Sequence, residues 1–377
     1  MLDMRKRCCE WVAVLLLAGI GCSGTGDNLL PSQDVNDHDD VAFDQAGAVD
    51  DLGPAAPDTS SGSVQLPTGP VAMLTNRDFL PIVIKVLAEA KTEISIAHLE
   101  FLTGNGPNQV AAQLQAAAAR GVTVHVILDH DVDENPARIS EFSAEGIQAK
   151  LGGTNRTLHV KLVVVDRTTV LVGSTNFSTS SMLYNNEANW YFKGTAIGDA
   201  FADYAEGLFA SDSGVRSIPK GPFAGVTLIG DGDYPDRVLP VLAAAKKRVR
   251  LVMYDMAYES ATSSDSGNMV RSLIAAKNRG VDTRVILELS DFDTNVNSDN
   301  QTSRAVLENA GVSVRQDSTD ITTHAKLLVA DDTVVIYSGN WIYSGMSKNH
   351  EAGAIYTDAT IATQAVGYFD TVWATCN

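Results

Sequence analysis

Leu158-His159-Val160-Lys161-Leu162-Val163-Val164-Val165-Asp166 and Thr323-His324-Ala325-Lys326-Leu327-Leu328-Val329-Ala330-Asp331 spell one pattern twice, His-x-Lys-x4-Asp, 165 residues apart. Successive side chains of a strand point to opposite faces, so His159 and Lys161 share one face while Val160 and Leu162 take the other. His324 and Lys326 do the same. Each apolar run stops at an Asp followed by Arg167-Thr168 or Asp332-Thr333. That reads as a tight turn into a returning strand, with Asp166 and Asp331 as structural turn residues. At ordinary residue frequencies, two of seven histidines meeting Lys at +2 and Asp at +7 by accident has a probability of about 3 in 10,000. The pair is therefore a signal.

Working outward, everything from residue 70 is doubled. An amphipathic segment (Phe79 to Ala90; Val238 to Ala245) leads into an apolar strand, Ile94 to Glu100, matched by Val249 to Asp255. A helix-like stretch ends at Gly121 and again at Gly280, each suited to a helix C-cap. Buried-looking strands follow, Val122 to Asp129 and Val281 to Glu288. Short helices at Ser140 to Glu145 and Ser303 to Ala310 then close at Gly146 and Gly311, ahead of the motif strands. Alternating strand and helix predicts an α/β architecture, helices packed on a mostly parallel sheet. Turn-rich residues Ser211 to Gly221 divide repeat 1 (70–218) from repeat 2 (219–377).

The N-terminal part has a different character. Arg5-Lys6-Arg7, an apolar run from Trp11 to Ile20 and Gly21-Cys22 read as an export signal over 1–21. Ten apolar residues span only ~15 Å as a helix, half of a ~30 Å hydrocarbon layer, which disfavours a permanent transmembrane helix. Small residues before Cys22 resemble the bacterial lipobox. The expectation is a lipidated Cys22 and a membrane-anchored protein (outer membrane, periplasm or cell surface), with plain secretion as the alternative. Residues 22–69 read as a disordered tether. Positions 23–69 hold nine Asp, no Lys or Arg and few large apolar residues. With Cys8 and Cys9 in the signal and Cys22 committed, Cys376 stands alone, so neither a disulfide framework nor a cysteine metal site is expected. Of the formal charge of −18, about half sits in the tether. A net-acidic body argues against nucleic acid as a partner, because phosphate contacts dominate such affinity.

His-x-Lys-x4-Asp followed by Gly-Ser-x-Asn resembles the phospholipase D superfamily over roughly residues 70–377. In the first repeat six residues separate Asp166 from Gly173-Ser174-Thr175-Asn176. The second reads Tyr337-Ser338-Gly339-Asn340, one residue closer, and Asn340 is assigned as the matching amide. Glu187 lies eleven residues after Asn176, and Glu351 eleven after Asn340. The resemblance implies two pseudo-symmetric α/β/α sandwich repeats sharing one active site. One imidazole, by resemblance His159, attacks phosphorus and becomes a phosphohistidine. The other, His324, protonates the leaving alcohol and then serves as base for water. Lys161, Lys326, Asn176 and Asn340 hold the non-bridging oxygens. Glu187 and Glu351 hydrogen-bond imidazole Nδ1. Gly173 and Ser174 are structural members of the motif. This chemistry calls for no metal and no cofactor.

Hydrolysis or transphosphatidylation of glycerophospholipids to phosphatidic acid is the expected function. The expected partners are a phospholipid and a membrane surface, and the protein is expected to be a monomer. A cardiolipin synthase-like phosphatidyltransferase and an extracellular nuclease are alternatives on the same site. A surface-anchored binding protein with a degenerate site is the non-enzymatic one. His98 and His125 are expected in the core, and Glu100 and Asp255 at equivalent strand ends are candidate pocket residues. Phe177, Met182, Tyr184, Trp341, Tyr343 and Met346 are candidates for a lipid-touching rim, with core packing as the alternative.

Overall fold

A computed structural model describes residues 64–377. The export signal, Cys22 and the tether up to residue 63 lie outside the described residues. Among the described residues, no helix is long and apolar enough to cross a membrane.

The first half runs β1 (Val71–Thr75), α1 (Phe79–Ala88), β2 (Glu93–His98), α2 (Pro107–Ala119), β3 (Thr123–Leu128), α3 (Asn135–Ala144), β4 (Gln148–Leu151), β5 (Lys161–Val165), β6 (Thr169–Gly173), α4 (Thr179–Leu183), β7 (Ala188–Lys193) and α5 (Thr195–Ala210). The second repeats it as β8 (Val226–Ile229), α6 (Tyr234–Ala244), β9 (Arg248–Met253), α7 (Asp265–Asn278), β10 (Asp282–Leu287), α8 (Thr294–Asn309), β11 (Ser313–Gln316), β12 (Leu327–Ala330), β13 (Thr333–Tyr337), β14 (Gly353–Thr357) and α9 (Ala359–Thr375). A π-turn, Ser344–Lys348, stands where α4 stood. Strand orders coincide: β1-β7-β6-β5-β2-β3-β4 in one seven-stranded sheet and β8-β14-β13-β12-β9-β10-β11 in the other.

The sheets are mixed, which corrects the expectation of mostly parallel ones. Only β2-β3-β4 and β9-β10-β11 pair in parallel. The motif strand pairs antiparallel with both neighbours in each sheet. For β5-β6 and β12-β13 the cause is local, because a chain that reverses within two or three residues can only pair antiparallel. Asp166 and Arg167 adopt left-handed φ of 50° and 53°, and Asp331 one of 54°, to make those reversals. Helices α3 and α8 begin well before Ser140 and Ser303. Their first turns are polar, so apolar periodicity does not reveal them. The start of α8 is set instead by Asp293, whose carboxylate accepts from Asn295 and Val296 N–H. Gly121 and Gly280 both sit at φ 88°, ending α2 and α7 in the left-handed region that favours glycine.

Each sheet is covered on both faces, which is why its strands are continuously apolar. One core cluster gathers Ile94, Ile96, Val163 and Val165 with α1, α2 and Phe142 of α3. Its counterpart gathers Leu251, Leu328 and Val335 with α6 and α7. The third draws on both halves, joining Val160, Leu162, Val172 and α5 to Ala325, Leu327, Ile336 and α9. Trp190 of β7 donates its indole N–H to Ala354 O of β14 at 3.0 Å. The halves are thus fused through a shared apolar layer.

Candidate functional site

The motif histidines lie just before the regular ladders of β5 and β12, in extended chain. Backbone bonds across the halves run beside them: His324 N–H donates to Asn186 O at 3.0 Å, and His350 N–H donates to the O of Thr157, two residues before His159, at 2.8 Å. Those contacts deliver the carboxylates. His159 Nδ1–H donates to Glu351 Oε1 at 2.8 Å, and His324 Nδ1–H to Glu187 Oε1 at 3.1 Å. The Nδ1–Glu pairing matches the sequence expectation, and the structure adds that each pair crosses between repeats. A carboxylate can only accept, so Nδ1 carries the proton and Nε2 presents its lone pair. Lys161 Nζ stands 2.9 Å from His159 Nε2 and Lys326 Nζ 2.6 Å from His324 Nε2, both as donors. All eight side chains, His159, Lys161, Asn176, Glu187, His324, Lys326, Asn340 and Glu351, are buried. The surrounding apolar layer strengthens every charge interaction among them.

The carboxylates are themselves anchored. Ser174 Oγ donates to Glu187 and Ser338 Oγ to Glu351, and each serine accepts a backbone N–H, from Ala188 at 2.9 Å and Ala352 at 3.0 Å. This matches Ser174 to Ser338 and hence Asn176 to Asn340 with no gap between. The apparent irregularity of the second motif has two parts. Its hairpin is one residue shorter, and the small residue has changed strands. Gly173 pairs with Asn189 in the first sheet, whereas Tyr337 pairs with Gly353 in the second. A Cβ on Gly353 would stand 2.7 Å from Tyr337 Cα, so the glycine clears room for the tyrosine.

Asp166 and Asp331 lie away from the histidines, as expected. Asp166 accepts from Lys91, Thr92 and Glu93 N–H at 2.9, 2.7 and 3.2 Å. Asp331 accepts from Lys246, Lys247 and Arg248 N–H at 2.8, 2.8 and 3.0 Å. Partial burial raises these carboxyls, and the amide donors outweigh it, leaving both below the usual carboxylate range. They clamp the turn entering β2 and β9.

Several supporting residues escaped the sequence reading. Asp129 and Glu288, at the ends of β3 and β10, accept the backbone N–H of the residue before each histidine, Leu158 and Thr323, both at 2.6 Å. Asn135 and Asn300 take the N–H of Phe101 and Met256 at 3.0 and 2.9 Å and donate to the carbonyls of Leu99 and Tyr254. Each stands 24 residues before its motif histidine, a spacing that was legible in the sequence. Asn76 and Asp231 accept the N–H of Glu187 and Glu351 at 2.8 and 3.1 Å. His350 donates to Asp231 at 2.6 Å and occupies the place of Asn186.

Burial raises the Glu288 carboxyl to about 8, with Asp317 and Asp291 adding to it and the Thr323 N–H opposing. Unfolded, this carboxyl loses its proton near pH 4.3; folded, it holds the proton to about 8. Stability should therefore fall as pH rises between those values, by at most about 1.4 kcal/mol per unit, and level off above. Urea unfolding at about pH 5 and about pH 8 checks this. Glu288→Gln should remove that part of the decline, and an unchanged difference would contradict it.

His98 is buried and stacked on Phe177 at 4.1 Å, with burial and Lys161 holding its pKa well below the usual value. His125 is not in the core: it is half-buried and pairs with Glu206 at 2.8 Å. Phe177, Met182, Trp341 and Met346 pack inside, leaving Tyr184 and Tyr343 exposed. Glu100 and Asp255 are buried at equivalent positions, and neither lines the recess that reaches His324.

Residues 83–211 and 238–373 match the family described as "Cardiolipin synthase, PLD-like domain". Cardiolipin synthase B of Shigella flexneri is 31% identical over 126 residues, 30% of this chain and 30% of that protein. Its Salmonella typhimurium counterpart is 27% identical over 135 residues, 34% and 32%. These alignments span about a third of the relatives' length. Among solved structures, phosphatidylserine synthase from Haemophilus influenzae superposes with a TM-score of 0.64 at 12% identity, covering 82% of this chain and 86% of that one. Polyphosphate kinase from Porphyromonas gingivalis gives 0.56 at 14%, covering 80% and 50%. Such low identity speaks for the fold alone. With the family pattern matched in both halves and the doubled motif gathered into one centre, this chain belongs to the phospholipase D-like family.

Proposed function

We propose that the protein cleaves or transfers the phosphodiester of glycerophospholipids through a phosphohistidine. The observation that carries this reading is the crossed arrangement, in which two His–Lys pairs are each oriented by a carboxylate from the opposite repeat. A phosphodiester repels hydroxide, so attack by a neutral imidazole Nε2 divides one hard displacement into two easier ones. His159 forms the P–N bond as the P–O bond to the alcohol breaks, and His324, which enters the cycle as the imidazolium with a proton added at Nε2, delivers that proton to the departing oxygen and is left neutral. Water or a second alcohol then loses its proton to His324 as its oxygen bonds phosphorus and the P–N electrons return to His159. The non-bridging oxygens replace the Nε2 atoms as acceptors for Lys161 and Lys326, with Asn176 and Asn340 as further donors. The carboxylates stabilise whichever imidazolium forms.

Phosphatidyl transfer in the manner of a cardiolipin synthase is the second reading, favoured by the relatives named above. The acidic composition favours lipid over nucleic acid, the lipobox-like Cys22 favours an exported, lipid-anchored protein at a membrane surface, and two motifs in one chain let a monomer complete the site. An unmodified Cys22 in the intact mass would remove the anchor. Incubating the full chain with phosphatidylglycerol, phosphatidylcholine and single-stranded DNA in EDTA tests the function. Release of phosphatidic acid with intact DNA is expected, and DNA cleavage alone would overturn the reading.

A further inference from the structure

The two carboxylates that orient the catalytic rings rest on different supports. Behind Glu187 stand two amides: Asn76 Oδ1 accepts the Glu187 N–H at 2.8 Å, and Asn76 Nδ2 donates to Asn186 Oδ1 at 3.5 Å. Behind Glu351 the same two places are taken by Asp231, which accepts the Glu351 N–H at 3.1 Å, and His350, whose Nδ1 lies 2.6 Å from Asp231 Oδ2. Both of these side chains are fully buried. A neutral amide pair in one half is thus an acid–imidazole pair in the other.

The hydrogen bonds place the protons. His350 Nε2 lies 2.9 Å from the carbonyl oxygen of Asp212, so both ring nitrogens face acceptors. A neutral imidazole has one N–H and a backbone carbonyl has none, so donating at both positions requires the doubly protonated ring. Its charge is matched by Asp231, whose Oδ1 also accepts from the Tyr204 hydroxyl at 2.6 Å and whose Oδ2 accepts from the Arg216 N–H at 2.8 Å. A buried ion pair is tolerated where its remaining lone pairs are met in this way. Each contact then leads towards His159. The His350 N–H holds Thr157 O, and the Asp212 carboxylate accepts the Gly153 N–H on the same approach. Glu351, next in the chain after His350, accepts from His159 Nδ1. Hydrogen bonds between charged groups are roughly twice as strong as neutral ones, so the attacking ring rests on the stiffer support.

We propose that His350, a buried imidazolium paired with Asp231, is a positioning residue for the attacking histidine, fixing the extended chain before His159 and the Glu351 carboxylate against one another. The proposal rests on the phosphohistidine reading above. It gives two otherwise equal rings different supports, and the charged one lies behind the ring whose Nε2 must align with the departing oxygen across phosphorus.

The test uses the full chain, with NMR of nitrogen-labelled histidine rings and steady-state kinetics on phosphatidylglycerol vesicles. In the assay buffer, the ring signal that His350→Asn removes should carry protons on both nitrogens; a single protonated nitrogen overturns the ion pair. His350→Asn and Asp231→Asn should each lower kcat by roughly tenfold to a hundredfold with KM nearly unchanged, since each leaves its partner's charge unmatched. The double variant reproduces the amide pair behind Glu187, and its loss should be smaller than the product of the two single losses by roughly tenfold. Folded single variants with unchanged kcat, or a double variant whose loss equals that product, overturn the positioning role. Should a single variant fail to fold, the double variant identifies the ring signal and the NMR result decides. Absence of phosphatidic acid and of every transfer product from the wild type overturns the phosphohistidine reading and the positioning role with it, while the ring signal still decides the ion pair.

Discussion

His159→Ala and His324→Ala are each expected to lower kcat for phospholipid turnover by about 10⁴-fold or more. The reason is that the two rings are not duplicates. Both present Nε2 to a lysine and Nδ1 to a glutamate, but a displacement needs one ring to bond phosphorus and the other to move a proton. Neither can hold both positions on one phosphorus atom. Combining the two substitutions should cost little more than either alone, because groups that act as a unit are lost as a unit. Steady-state kinetics on the purified variants, with thermal unfolding to show that each is folded, measures this. Turnover within tenfold of wild type in either variant would mean that the halves work separately.

Glu187→Gln and Glu351→Gln should each lower kcat by about 10²- to 10⁴-fold with little change in KM. An amide keeps the shape, but it can present N–H to Nδ1 and so favour the tautomer whose Nε2 carries the proton. That tautomer cannot attack phosphorus. The crossed pairing gives a directional test in the quenched reaction. Glu351→Gln should suppress the phosphohistidine at His159, because its partner ring is the attacking one. Glu187→Gln acts on His324 and should leave slow protonation of the alcohol as its main defect. Mass spectrometry of acid-labile phosphopeptides separates these. Phosphorylation at His324 with none at His159 would reverse the roles assigned here.

Much of the site was legible in the chain. A histidine and a lysine two apart in an extended segment must share a face, and an Asp seven residues on, next to turn-forming residues, must reverse the strand. The equal spacing from Asn176 to Glu187 and from Asn340 to Glu351 also marked the glutamates, because equal hairpins return them to equal heights. The mixed sheet was less legible. Buried strands are apolar whether parallel or antiparallel, so composition does not tell them apart. The early turns of α3 and α8 were hidden because capping and polar contacts, rather than an apolar stripe, start them.

The sequence alone determined that this protein has two copies of one α/β unit and that each supplies a His–Lys pair, since local geometry and repetition require no knowledge of distant contacts. Only the tertiary structure decided that Glu351 serves His159 and Glu187 serves His324, because that choice depends on Asn186 bonding to His324 and Thr157 to His350 across the interface. It also decided that the irregular second motif is an exchange, Tyr337 against Gly353 in place of Gly173 against Asn189. Both are matters of which residues meet in space, and spacing along a chain does not encode partners drawn from two different sheets.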